Sequence, residues 1–75
     1  MSYANVIVDV ANSEVDRIFD YIIPEDIDVS SGMRVKVPFG PRKIEGYVVG
    51  IAENTKVPPN RLKSIIEKLD EIPSL

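Results

Sequence analysis

The run Gly32-Met33-Arg34-Val35-Lys36-Val37-Pro38-Phe39-Gly40 constrains the fold more than any other stretch of the chain. Met33, Val35 and Val37 alternate with Arg34 and Lys36, a period of two that sends three apolar side chains to one face of a strand and two cations to the other. Pro38 has no N–H to donate and a fixed φ, so it is expected to end the ladder. Gly40 allows either a tight turn or the close approach of a ligand to the backbone.

The same period recurs elsewhere. Tyr3 to Ala11 reads as a first strand, with Val6, Val8 and Val10 on one face and Asn5, Ile7 and Asp9 on the other, and Asn12-Ser13-Glu14 reads as a turn. Residues 17 to 23 form a second strand, in which Phe19, Tyr21 and Ile23 oppose Ile18, Asp20 and Ile22, and Pro24 closes it. After the acidic turn from Glu25 to Ser31 comes the run already described. Pro41-Arg42-Lys43 then makes a basic hairpin tip leading into a strand from Ile44 to Ala52, where Gly46 and Gly50 mark a bulge or bend. Glu53 to Asn60 is a loop with Pro58-Pro59, and Asn60 is placed to cap a short helical turn.

The last segment carries two patterns. Leu62, Ile65, Ile66 and Leu69 follow helical spacing, whereas the β-branched Ile65-Ile66 pair and the need for a closing partner favour a strand over 63–69, which is the assignment adopted. The fold class expected is all-β: a small closed or partly open β-barrel, OB-like, of about five to six strands with a short helical turn.

Seventy-five residues suit one domain, and a domain of this size buries only about 60% of its unfolded surface, so a partner domain would add stability. The ending Glu71-Ile72-Pro73-Ser74-Leu75 carries no stop signal and fits a piece of a longer protein. With no cysteine and no histidine, a disulfide framework and the common zinc sites are excluded. The start lacks the pattern of a signal peptide and no apolar run approaches the roughly 20 residues of a membrane span, so no membrane partner and a cytoplasmic location are expected.

A net charge of −3 argues against a generic phosphate binder, but the charge is unevenly placed. Residues 1–31 hold seven acids against Arg17, whereas residues 32–63 hold seven bases (Arg34, Lys36, Arg42, Lys43, Lys56, Arg61, Lys63) against Glu45 and Glu53. The middle of the chain can thus form a basic patch, or simply solvate strand faces.

Catalysis finds no support in the residues. There is no phosphate-binding glycine loop, no Cys or His to serve as nucleophile or base, and no second carboxylate matched to Asp20. Asp20 is nonetheless the sharpest anomaly, an acid in a strand otherwise suited to burial, which costs stability unless it is exposed or hydrogen-bonded. Two readings stay open: a solvent-facing acid on an edge strand, or an acceptor for a ligand.

Taken together, Arg17-x-Phe19-Asp20-Tyr21-x-x-Pro24, Gly32-x-Arg34-Val35-x-Val37-Pro38-Phe39-Gly40, Gly46-x-Val48-Val49 and Leu62-Lys63 resemble the amino-terminal 3′-DNA-binding domain of the primosomal replication-restart helicase PriA. The resemblance spans almost the whole chain in order. It implies a small, mostly β module, residues 1–75, that binds the 3′ end of the nascent leading strand at a stalled fork and positions a helicase whose motor lies beyond residue 75. This fragment would be a binding domain and not an enzyme, without a cofactor, and its partners would be DNA with a free 3′-OH and the remaining helicase domains.

By that resemblance, Phe19, Asp20, Gly40 and Lys63 form the pocket for the terminal nucleotide. Phe19 would pack against sugar or base or else belong to the core, Gly40 would leave backbone open to the base edge or else serve only the hairpin turn, and Lys63 would meet a phosphate or the nucleotide; the chemistry of a carboxylate adds that Asp20 would accept the terminal hydroxyl. Arg34, Lys36, Arg42 and Lys43 are candidates to steer phosphates. The alternative, from a different class, is a small β-barrel protein-interaction module that pairs with a peptide or itself through an edge strand, using Ile7, Ile18 and Ile22 as its contact surface.

Overall fold

The computed structural model describes residues 2–8 and 17–72. Five strands follow in chain order: β1 (Tyr3–Val8), β2 (Arg17–Ile22), β3 (Arg34–Phe39), β4 (Arg42–Ala52) and β5 (Glu67–Lys68). They form one sheet in the order β2-β1-β4-β3-β5, each ladder antiparallel. The expected extension of the first strand to Ala11 and the turn at Asn12-Ser13-Glu14 lie outside the described residues, as does the end of the tail from Pro73.

Alternation decides which face is buried. Ala4, Val6 and Val8 of β1, Val35 and Val37 of β3, Val48 of β4 and Tyr21 of β2 make the core with Ile65, while Phe19, Phe39 and Ile44 pack at its margin. The fully buried side chains are mostly valines, as expected where β-branched residues fill a pleated surface. Tyr21 is buried with its phenol donating to the carbonyl oxygen of Pro38 at 2.9 Å.

Two glycines let β4 cross β1 closely. A Cβ at Gly46 would lie 2.5 Å from Val6 Cγ1 and 2.8 Å from the Ile7 carbonyl oxygen. The register shifts between Asn5 and Val6, which pair with Gly50 and Val48, so Val49 is the extra residue of a bulge. The bulge expected at the glycines is therefore present beside Gly50, whereas the ladder keeps its register through Gly46.

Three expectations need correction. Pro38 does not end its strand: it sits inside β3 opposite Lys43, and it is tolerated there because β5 pairs only with Val35 and Lys36, leaving no partner that needs its N–H. The hairpin loop is Gly40-Pro41, with Arg42 and Lys43 already in β4 beside it. The segment 63–69 is not one continuous strand, because it changes partners on the way. Ile22 N donates to Lys63 O and Ile65 N to Ile22 O in a parallel bridge to β2, and then Ile66 N and Leu69 N donate to Lys36 O and Arg34 O of β3.

That change of partner also settles helix against strand. Ile65 is buried and Ile66 exposed, the alternation of extended chain. No helix occurs among the described residues: where a short helical turn was expected, Arg61 N and Leu62 N both donate to Pro58 O in one isolated turn that contains Asn60 instead of being capped by it. Among the described residues the ladders end at β2 and β5, with only the isolated Ile22–Ser64 bridge beyond β2, so the sheet is not closed into a barrel.

Candidate nucleic-acid interface

Asp20 faces away from the core on β2, directly opposite Asn5 of β1. Both of its oxygens are held. Asn5 Nδ2 donates to Oδ1 at 2.8 Å, and the Thr55 hydroxyl donates to Oδ2 at 2.6 Å. Ionised carboxylate oxygens each accept more than one bond, so this fixes the group while leaving acceptor capacity for a ligand. Neither reading from sequence describes it fully: Asp20 is half-buried and bonded on both oxygens, not a free acid on an edge.

The loop after β4 is built around that contact. Thr55 Oγ1 also accepts from Val57 N at 3.1 Å, so one hydroxyl ties the loop backbone to β2. The chain then passes Pro58-Pro59, turns at residues 59–61 and reaches Lys63, whose carbonyl takes the Ile22 N–H at 2.8 Å. The result is a pocket of about 210 Å³ lined by Ile18, Phe19, Asp20, Tyr21, Val57, Arg61 and Lys63. A second depression of about 310 Å³, which also has Asp20 in its lining, is formed with Asn54, Thr55 and Lys56.

Three of the four expected site residues, Phe19, Asp20 and Lys63, thus line one pocket. The fourth, Gly40, is not among its lining residues. It lies at the β3–β4 turn beside Phe39, whose ring meets Phe19 edge-on with centroids 5.4 Å apart. Gly40 has φ +60, and a Cβ there would meet nothing within 4 Å, so the turn geometry accounts for the glycine while the space beyond it is open.

The cations divide by what they already hold. Arg34 is committed to Asp70, with its Nη2 2.9 Å from Oδ1 and its backbone N–H 2.9 Å from Oδ2, and it also reaches Glu45 at 3.6 Å. Its guanidinium is held charged by that hydrogen bond to Asp70 and by the two carboxylates, which suits a structural cross-link more than phosphate steering. Arg42 and Lys43 are exposed beside the hairpin turn, and Arg61 and Lys63 are exposed at the pocket. Another depression, about 610 Å³ and lined by Ser2, Ile22, Ile23, Pro24, Glu25 and Ile27, has no cation in its lining for a phosphate.

Asn5, Thr55, Val57 and Arg61 were not singled out as site residues from sequence. Asn5 left a trace, as a polar residue at an outward position of β1. Thr55 left none, since its partner lies 35 residues away. No helix of the described residues is long and apolar enough to cross a membrane, and no group of metal-binding side chains occurs among them.

Residues 5–75 match the family model of the 3′DNA-binding domain (3′BD) of PriA. The chain is 44% identical over 77 residues to the replication restart protein PriA of Bacillus subtilis, covering all of this chain and 10% of the relative. It is 42% identical over 57 residues to that of Haemophilus influenzae, covering 76% of this chain and 8% of the relative. It is 34% identical over 70 residues to that of Synechocystis, covering 93% and 8%. The chain therefore spans about a tenth of the length of the relatives it matches.

Proposed function

The chain belongs to the 3′DNA-binding domain family of PriA, and from that premise we propose that it binds the 3′ end of single-stranded DNA in the pocket at Phe19, Asp20 and Lys63, with Gly40 at its margin. In this reading residues 1–75 are the amino-terminal domain of a larger replication-restart helicase, acting in the cytoplasm to set that helicase on a stalled fork. The domain itself binds and does not catalyse. The sheet, bridged between Ile22 and Ser64, works as a partly open barrel of OB-like form.

One observation carries the reading: a carboxylate held on both oxygens, in a residue that lines one pocket with Phe19, Arg61 and Lys63. A carboxylate repels phosphates, so its place in a DNA site makes sense at the one point of a strand that offers a hydroxyl donor instead. A free 3′-OH donates to Asp20, whereas an internal nucleotide or a 3′-phosphate brings negative oxygen against it. Phe19 stacks on sugar or base without regard to sequence, in keeping with an end that arises anywhere.

Fluorescence-anisotropy titration of short oligonucleotides tests this. A 3′-phosphate should weaken binding about tenfold or more, by loss of a charge-assisted hydrogen bond and added repulsion, and a 5′-phosphate should change little. Asp20→Ala should lose about 1–3 kcal/mol of binding to the 3′-OH strand, and Asp20→Asn should tolerate the 3′-phosphate better than the parent does. Equal affinity of the unmutated chain for both ends would sink the proposal. It would favour the second reading, a peptide- or self-binding module, which draws support from Ile7 and Ile18 facing each other across β1 and β2 with Ile18 59% exposed.

A further inference from the structure

We infer that the bulge of β4 serves specificity: by setting Gly50 instead of Val49 opposite Asn5, it seats the Asn5 amide where it orients Asp20, which makes Asn5 and Gly50 positioning residues. The assignment rests on the 3′-end reading of Asp20 and carries it to residues outside the binding pocket. Neither Asn5 nor Gly50 lines either of the depressions that Asp20 lines.

β1 lies between β2 and β4, and at the level of Asn5 it has Asp20 on one flank and Gly50 on the other. The amide spans that gap. Its Nδ2 donates to Asp20 Oδ1 at 2.8 Å, while a Cβ at Gly50 would lie 2.9 Å from its Oδ1. The amide oxygen therefore rests over the bare Cα of the glycine. A side chain there would press on that oxygen, and the planar amide would pass the displacement to Nδ2 on its other side.

The bulge decides which residue faces the amide. Val6 pairs with Val48, so an unbroken ladder would next pair Asn5 with Val49 and set a branched side chain against it. The extra residue moves the register by one and puts the glycine there, as bulges beside functional sites do when they re-aim a side chain. Conformation does not demand this glycine, since the positive φ values belong to Gly32 and Gly40. Space for the amide does.

Gly46 supplies the internal contrast. A Cβ there meets the Ile7 backbone, whereas at Gly50 the three nearest atoms all belong to the Asn5 side chain, which can turn away without moving a strand. Gly46→Ala thus strains the sheet. Gly50→Ala leaves the sheet intact and takes the amide from Asp20, which keeps Thr55 as its donor.

The test uses the 75-residue chain and short oligonucleotides ending in 3′-OH or 3′-phosphate, read by fluorescence anisotropy, with the Asn5 side-chain amide resonances followed by NMR in the DNA-free chain. Gly50→Ala should lower the ratio of 3′-OH to 3′-phosphate affinity about threefold, the effect of one misplaced hydrogen bond, and should shift the Asn5 resonances. Its melting temperature should stay within roughly 2 °C of the parent's. Asn5→Ala should lower the ratio by the same factor. The double variant should lower it no further, because without the amide a Cβ at residue 50 has nothing to displace.

An unchanged ratio or unmoved Asn5 resonances in Gly50→Ala overturn the assignment. So do additive losses in the double variant, or a melting temperature that falls as far as in Gly46→Ala. Equal affinity of the unmutated chain for the two ends is a separate result, which removes the 3′-end reading, and the role of Asn5 with it, before any variant is made.

Discussion

The Thr55 hydroxyl donates to Asp20 Oδ2 at 2.6 Å while accepting the Val57 N–H at 3.1 Å. A single side chain thus fixes both the carboxylate at the centre of the pocket and the loop that brings Arg61 and Lys63 beside it. Orientation of the acceptor and placement of the cations are coupled through one oxygen.

Thr55→Val keeps the shape and deletes that oxygen. Asp20 loses one donor and the loop loses its anchor, so the ratio of affinities for 3′-OH over 3′-phosphate strands should fall about threefold or more, with about 1–2 kcal/mol lost from stability. Thr55→Ser should restore the ratio. If Thr55→Val lowers stability but leaves the ratio unchanged, the hydroxyl serves only the fold.

Arg42 and Lys43 project from the start of β4 beside the Gly40-Pro41 turn, next to Phe39 and hence near Phe19. If the strand passes this way, replacing both by Ala should flatten log K against log salt by about 0.7 for each phosphate released, with the melting temperature unchanged. An unchanged slope would take the hairpin out of the DNA path.

Gly46→Ala should be among the most damaging small substitutions. Its Cβ would meet Val6 Cγ1 at 2.5 Å and the Ile7 carbonyl oxygen at 2.8 Å, and the second of these is backbone that can yield only by separating β1 from β4. Overpacking of this kind costs about 1–3 kcal/mol. In a domain of this size that corresponds to a melting temperature lower by roughly 5 °C or more, readable by circular dichroism. An unchanged melting temperature would contradict the close crossing.

Burial pushes the Tyr21 phenol above its ordinary 10.0. Below that value the folded and unfolded chains both hold the proton and Tyr21 adds no pH dependence. As pH rises through it, the unfolded chain releases the proton first and stability falls. Urea midpoints should therefore drop between about pH 9 and pH 11 by more in the parent than in Tyr21→Phe. That variant should also be about 1 kcal/mol less stable at neutral pH, because it leaves the Pro38 carbonyl without its donor. Parallel pH curves would refute the assignment.

How much was legible in the sequence follows from the range of the interactions involved. The alternation in Met33 to Val37 and in Ala4 to Val8 is a local property of the strand period, so the all-β class and most of the buried valines could be read directly. The family motifs likewise marked Phe19, Asp20 and Lys63, which the fold gathers into one pocket. The extent of β3 past Pro38 could not be read, because it depends on whether a partner strand claims the missing N–H. The path of 63–69 was equally hidden, since its backbone bonds first to β2 and then to β3. Asp20 shows the division most plainly: the chain supplied an acid at an outward strand position, but its geometry is set by Asn5 on the neighbouring strand and Thr55 on a distant loop. Side-chain hydrogen bonds between residues far apart in sequence leave no periodic trace, and only the tertiary fold brings their atoms within reach.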